Sequence, residues 1–303
     1  PIAEPKVDRQ AQAVEGLFAV LADLRDWQAA ESVTLRFLHS ASGRVDKCNG
    51  QIVSQRCNLG WALEQQKREK DAESTRLELL LDVQQATKDG EIVWWKLGDQ
   101  MLTADLLSAT KTDEASLKEA LRILEGTEQQ TRTVDWLNSW WHAISAKVQE
   151  RVGRKQDAIQ HARLCLEKCQ GLYVEQMCAQ RLVGLLVDAS LAEEAEIVLR
   201  TLVAEREKEF GDDHLVTHYA RVDLAEWLVE LKKYTEAEEL LHQLQSGLLS
   251  DMRVPRTEQQ RIVKLLSDVC ESTERPELAS QWRRKLETLS ASHETETRST
   301  GAN

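Results

Sequence analysis

Few residues in this chain are suited to chemistry. His161, Cys165 and Cys169 recur every four positions, with Cys178 close behind. On a helix that spacing puts an imidazole and two thiols on one face, and these are donors that zinc takes. No CxxC pair is present, however, and no second histidine stands at finger spacing. Cys165 therefore reads as the filler of a small core slot. His214 and His218 form an HxxxH without the glutamate that a zincin helix carries. Gly211-Asp212-Asp213-His214 reads instead as a turn, with Asp213 capping the next helix. Glu193-Glu194 and Glu238-Glu239 are paired carboxylates, but on helices such pairs mark solvated faces. GxSxG, a P-loop and GxGxxG are all missing. The sequence points to no catalytic residue, no metal and no cofactor.

Tryptophan is the more informative type. The chain has nine, against three each of Tyr and Phe. Trp94-Trp95 and Trp136, Trp140, Trp141 cluster mid-chain. Adjacent residues on a helix point about 100° apart, so Trp140 and Trp141 are not expected to share one core. Either these rings fill a widened core or one of them anchors a partner, as exposed Trp does at binding hot spots.

The elements that hold these residues follow from composition and repetition. Of 303 residues, 42% are hydrophobic and 30% charged, with only 4 Pro and 13 Gly. So few turn-makers argue against a sandwich, a barrel or a Gly-rich nucleotide fold, and for long helices joined by short turns. The net charge of −12 disfavours nucleic acid as a partner. Apolar runs such as 77–81 and 182–187 are far short of the roughly 20 residues of a membrane span. Six scattered cysteines read as reduced thiols, and no signal peptide is evident, so a cytoplasmic location is expected. The first residue is Pro rather than Met, which suits a processed chain or a piece of something longer.

An alanine just after a turn recurs at Ala30, Ala72, Ala115, Ala158, Ala195, Ala237 and Ala279, at spacings of 42, 43, 43, 37, 42 and 42. Thirteen residues before each stand Leu17, Leu59, Leu102, Ser145, Leu182, Leu224 and Leu266. Nine before stand Leu21, Leu63, Leu106, Gln149, Leu186, Leu228 and Cys270. Twelve before, Gly60, Thr103, Ala146, Ala225 and Ser267 are small, while Phe18 and Val183 are not. Two apolar residues one turn apart make one buried face, and a small neighbour lets a second helix approach. Each unit is then a helical hairpin that needs its neighbours for cover, which gives an all-α solenoid. Helix pairs are expected near 8–25/27–41, 51–66/69–84, 92–109/112–126, 131–152/155–170, 173–189/191–209, 214–231/234–249 and 256–272/275–289. In the third unit Ala120 competes with Ala115 as the anchor. Residues 1–289 form the array, and 290–303, which lack apolar periodicity, are expected to be a disordered tail or linker.

Gly211-Asp212-Asp213-His214, Thr217, Leu224-Ala225, Leu228, Tyr234 and Glu236-Ala237-Glu238 resemble the tetratricopeptide repeat family, in its long kinesin-light-chain-like form. Cys57-Asn58-Leu59-Gly60 with Leu63 is similar to the same first-helix signature. The resemblance covers roughly 8–289 and implies a right-handed superhelix of about seven hairpins whose first helices line a concave peptide groove. It places Asn58, Trp61 and Gln65 on that groove in the second repeat, and Trp140, Lys147 and Arg151 in the fourth. Gln180 and Arg181 follow in the fifth, Tyr219, Asp223, Glu226 and Glu230 in the sixth, and Arg261, Lys264 and Asp268 in the seventh. Asn58 matches the asparagine with which such repeats hold a peptide backbone, a task suited to a group that both donates and accepts. No other repeat keeps that Asn, and the Lys/Asn/Arg set of a carboxylate clamp is missing.

The expected function is a non-enzymatic scaffold or adaptor that binds an extended peptide or partner protein. Lys147, Arg151 and Arg181 would pair with acidic partner residues, and Asp223, Glu226 and Glu230 with basic ones. Two alternatives stand beside it. One is a sensing module from a larger signalling or switch protein. The other is an enzyme with a small-molecule pocket around Trp140 and Trp141.

Overall fold

A buried alanine near the start of the second helix lets the two helices of a repeat approach closely in six of the seven repeats. A computed structural model describes residues 9–41, 50–88, 96–110, 113–132, 134–169 and 172–300. Among them are α1 (Arg9–Asp23), α2 (Trp27–Ala41), α3 (Gly50–Gln65), α4 (Glu69–Lys88), α5 (Lys96–Thr110), α6 (Glu114–Thr131) and α7 (Asp135–Arg151). There follow α8 (Lys155–Lys168), α9 (Leu172–Asp188), α10 (Ala192–Phe210), α11 (Leu215–Glu230), α12 (Tyr234–Leu248), α13 (Arg256–Ser272) and α14 (Pro276–Thr300). No strand occurs among the described residues. These bounds follow the expected pairs closely.

Six of the seven expected anchors (Ala30, Ala72, Ala158, Ala195, Ala237 and Ala279) are fully buried. Each is the fourth residue of its helix, and its N–H bonds the carbonyl four residues back. The small residue in the first helix does what its size suggests. A Cβ added at Gly60 would lie 3.3 Å from Arg76 Cγ and 3.9 Å from the carbonyl oxygen of the anchor Ala72. The third repeat corrects the expected register, because Ala115 is exposed. Leu117 takes the fourth helical position, buried, with its N–H on Asp113 O at 3.2 Å. Here Asp113 caps α6 through its side chain, so this hairpin is entered differently from the others.

The six connections that precede these anchors turn through one left-handed residue each, always five before the anchor: Arg25, Lys67, Gly153, Ser190, Lys232 and Glu274, at φ of 57–83°. In five of them the next residue bonds back across the helix end, as Lys233 N does to Leu228 O at 2.8 Å, closing the C-terminus of the first helix. Only one of the six is glycine, so this chain makes tight turns without the residue that usually marks them.

By packing, the chain divides into two compact units, Pro1–Ala189 and Ser190–Asn303, whereas the sequence pattern runs on without a break. In the first unit each helix packs on the next, and odd helices also approach one another, α1 with α3 and α5 with α7. Helices inside a curve are drawn together, which makes the odd helices the inner row. That row bends far enough for α1 to meet α9. The main core of this unit runs from Val53 through Leu79, Met101, Leu106 and Leu124 to Trp141 and Val148. In the second unit α10 to α14 pack in succession, and α11 meets α13.

Two further expectations are corrected. His214, not Asp213, is the N-cap of α11, its Nδ1 accepting from Val216 N at 3.3 Å. The last helix runs on to Thr300, where a disordered tail from 290 was expected. A nucleated helix adds one hydrogen bond per residue, so polar sequence can extend it without an apolar face.

Candidate functional site

The charges expected to face a partner are largely engaged with one another, from one repeat to the next. Lys147 on α7 donates to Asp105 Oδ1 on α5 at 2.8 Å. Arg181 on α9 donates to Glu150 Oε2 on α7 at 2.6 Å. Within the second repeat Arg76 holds Glu64 at 2.6 Å. Burial alone would raise the pKa of Asp105, but the Lys147 ammonium outweighs it, with Arg76 and Arg181 behind, and the carboxyl stays below its usual range. The half-buried Cys57 thiol is pushed up to about 12, by desolvation first and by the Asp105 carboxylate second.

The second unit repeats the device more tightly. Arg261 on α13 reaches Asp223 Oδ1 at 2.7 Å, Glu226 on α11, and Glu258 Oε2 at 3.3 Å. Burial would lower the Arg261 pKa, yet Glu258, Asp223 and Glu226 raise it well above its ordinary value. Tyr219 and Asp223, expected on the groove surface, are 2% and 1% exposed. They are corrected to core positions, because Asp223 is drawn inward by Arg261. Glu226 is half-buried in the same cluster, and Lys264 meets Asp268 at 3.7 Å.

What stays unpaired is a shorter set. Asn58 on α3 is half-buried, and its buried Nδ2 has no hydrogen-bond partner among the described residues. Arg151 at the end of α7 and Glu230 at the end of α11 are exposed. Sequence reasoning passed over two more. In the fourth repeat Ser145 and Gln149 stand where the other repeats carry leucine, or Cys270 in the last, and Ser145 Oγ and Gln149 Oε1 are buried without hydrogen-bond partners among the described residues. The break in the leucine pattern was the available signal. Leaving such groups unpaired costs about 1–3 kcal/mol each.

The tryptophans are mostly structural. Trp61 stacks edge-on against Trp27 at 4.5 Å and lies 5.9 Å from Phe18, wedged between the first two repeats. Trp141 is buried and donates from Nε1 to Leu124 O at 3.1 Å. Trp140 packs half-buried on the same core cluster; the two rings share one core after all, Trp140 at its rim. Trp136 is 51% exposed. Trp94 and Trp95 lie outside the described residues.

The candidate zinc donors divide, the histidine going to one neighbour and the thiols to another. His161 Nδ1 lies 3.0 Å from His142 Nδ1 on α7, while Cys165 Sγ turns to Ser139 and, at 2.6 Å, to Cys178 Sγ. His214 stacks on Phe210, apart from His218. No group of three or more metal-ligating side chains is placed to hold an ion among the described residues.

No protein-family model and no curated protein matches this sequence. Solved structures do. The apo form of RapI is similar over 92% of this chain and 76% of its own, with a TM-score of 0.51 and 12% identity. The apo quorum sensor NprR from B. thuringiensis covers 92% of this chain and 86% of its own, with a TM-score of 0.46 and 12% identity. A tetratricopeptide repeat protein from Parabacteroides merdae covers 93% and 94%, with a TM-score of 0.41 and 13% identity. The chain folds as a tetratricopeptide-type repeat protein.

For a tetratricopeptide-type array, the inner row of odd helices is the surface that offers polar groups in series. In the first unit that series has fixed rungs, Asp105–Lys147 and Glu150–Arg181, and two hydrogen-bonding groups without a partner among the described residues, Asn58 Nδ2 on α3 and Gln149 Oε1 on α7. An amide donor and an amide acceptor together match the carbonyl and N–H of a peptide backbone.

Proposed function

We propose that this protein is a non-enzymatic interaction scaffold that takes an extended peptide segment of a partner along the inner row of its first unit. The unpaired Nδ2 of Asn58 carries the reading: a buried amide donor without a partner gains one when a backbone carbonyl arrives. Gln149 Oε1 supplies an acceptor for a backbone N–H, and the exposed Arg151 takes an acidic side chain. A row whose first helix meets its ninth suits a thin extended segment better than a folded domain. Trp140 and Trp141 serve the core, which removes the motive for a small-molecule pocket between them.

The test is affinity capture with wild-type protein, Asn58→Ala and Arg151→Glu, followed by titration of a peptide from any captured protein. Loss of one hydrogen bond at about 1–2 kcal/mol predicts roughly 5- to 30-fold weaker binding for Asn58→Ala, with unchanged thermal melting. Binding indifferent to both substitutions sinks the proposal.

A further inference from the structure

Three thiols converge where α8 meets α9, and neither the packing nor the proposed peptide surface requires them to be thiols. Cys165 on α8 and Cys178 on α9 are both buried. Their sulfurs lie 2.6 Å apart, about half an ångström beyond the roughly 2.05 Å of a disulfide bond. Cys169, one turn after Cys165, is only half-buried and also reaches Cys178. Cys57 and Cys270 belong to other parts of the fold and have no such neighbour among the described cysteines. An alanine or serine would fill each slot equally well, so the observation that asks for an explanation is the conjunction of the three.

We propose that Cys165, Cys169 and Cys178 form a dithiol oxidation site, in which a small-molecule disulfide converts Cys165 and Cys178 to a disulfide joining α8 to α9. Cys169 is the accessible member and reacts first. Its thiolate attacks one sulfur of the reagent, forming a mixed disulfide and releasing one reagent thiolate, which takes up a proton. Cys178 gives its proton to solvent and attacks the Cys169 sulfur, expelling the second reagent thiolate. Cys165 then exchanges onto Cys178, and Cys169 leaves as a thiol. The balance is two protein thiols and one reagent disulfide giving one protein disulfide and two reagent thiols, the two protein sulfurs being oxidised and the reagent reduced. Exchange proceeds by such mixed disulfides, at rates set by access and by thiolate character. The Cys165 thiolate is favoured by its hydrogen bond from Cys178, which supplies the nucleophile for the last exchange, whereas the Cys178 thiol is pushed up by the same contact, so its attack on the mixed disulfide is the slow step. The final bond rests between the two buried sulfurs, where an external thiol reaches it least.

Oxidised glutathione is the probe. The full chain is incubated with it, quenched with an alkylating agent and mapped by peptide mass. The expected product is a cross-linked peptide pair containing Cys165 and Cys178, lighter by two hydrogen atoms, with Cys48, Cys57, Cys169 and Cys270 alkylated. Cys169→Ser should slow the reaction at least about tenfold and leave the same product, because access then runs through buried sulfur. Cys178→Ser should stop at a glutathione adduct on Cys169. Cys165 and Cys178 remaining alkylatable after exposure of wild-type protein overturns the site. A different cross-linked pair does the same. Cys169→Ser reacting as fast as wild type overturns the relay. The wild-type map decides the proposal even where a variant folds poorly.

Discussion

Replacing Lys232 by glycine should stabilise this protein. Lys232 holds φ at 61° in the turn between α11 and α12. It is exposed, its side chain meets no described partner, and its N–H bonds Val229 O at 2.9 Å, a bond glycine keeps. A left-handed conformation costs an L-residue about 1–2 kcal/mol. Glycine removes that cost but gives the unfolded chain extra freedom worth about 0.5–1 kcal/mol. The net gain is about 0.5–1 kcal/mol, a rise of roughly 1–4 °C in melting midpoint for a chain of this size. Glu274→Gly, the same position in the last hairpin at φ 57°, should add a similar amount, since the two turns share no contacts. Glu239→Gly, exposed within α12, is the control and should lose about 0.5–1 kcal/mol. Urea midpoints by circular dichroism measure all four proteins. If Lys232→Gly and Glu274→Gly lose as much as the control, the turn geometry described above is wrong.

Three other outcomes follow from the packing. Ala237→Leu should cost about 1–3 kcal/mol by overpacking, whereas Ala115→Leu, on an exposed first turn, should stay within about 0.5 kcal/mol; comparable losses in urea melts would restore Ala115 as the anchor. Arg261→Met strands Asp223, Glu226 and Glu258 together and should cost about 3–5 kcal/mol, seen as an early second-unit transition in hydrogen exchange. Burial lowers the His142 pKa to about 4, with His161 and Lys168 adding to it. The unfolded chain therefore takes up a proton from about pH 6.5 downward while the folded chain does not, so stability is lost between pH 6.5 and 4. His142→Asn should flatten that slope in pH-dependent melts, and an unchanged slope would assign it elsewhere.

The helices were legible because alanine, leucine and small-residue slots recur, and a close helix crossing tolerates few alternatives at Ala30 or Ala237. The turns were not. Lys67, Lys232 and Glu274 are ordinary surface residues until a backbone torsion is known, so scarce glycine argued correctly for helices but concealed five of the six tight turns. The third register failed because Leu117 fills a slot that size alone reserves for alanine. At the site, side-chain types on the first helices were identified, but not their mutual pairing. That pairing left a trace: Asp105 and Lys147 stand 42 residues apart with opposite charge, one repeat period, which is how inter-repeat rungs look in a sequence. The burial of Asp223 left none, since only the approach of Arg261 from the next first helix decides it.

The rungs change what binding at this surface means. A carboxylate arriving at Lys147 finds Asp105 already seated at 2.8 Å and held there by the chain itself. The newcomer competes with a tethered ligand whose effective concentration is on the order of millimolar or above. Association is then an exchange: the partner's acid must displace an internal one, and the released Asp105 must find water or a base on the partner. Net gain goes to partners that carry both signs in the right order, so a surface that is nearly neutral rung by rung selects for charge sequence rather than for total charge.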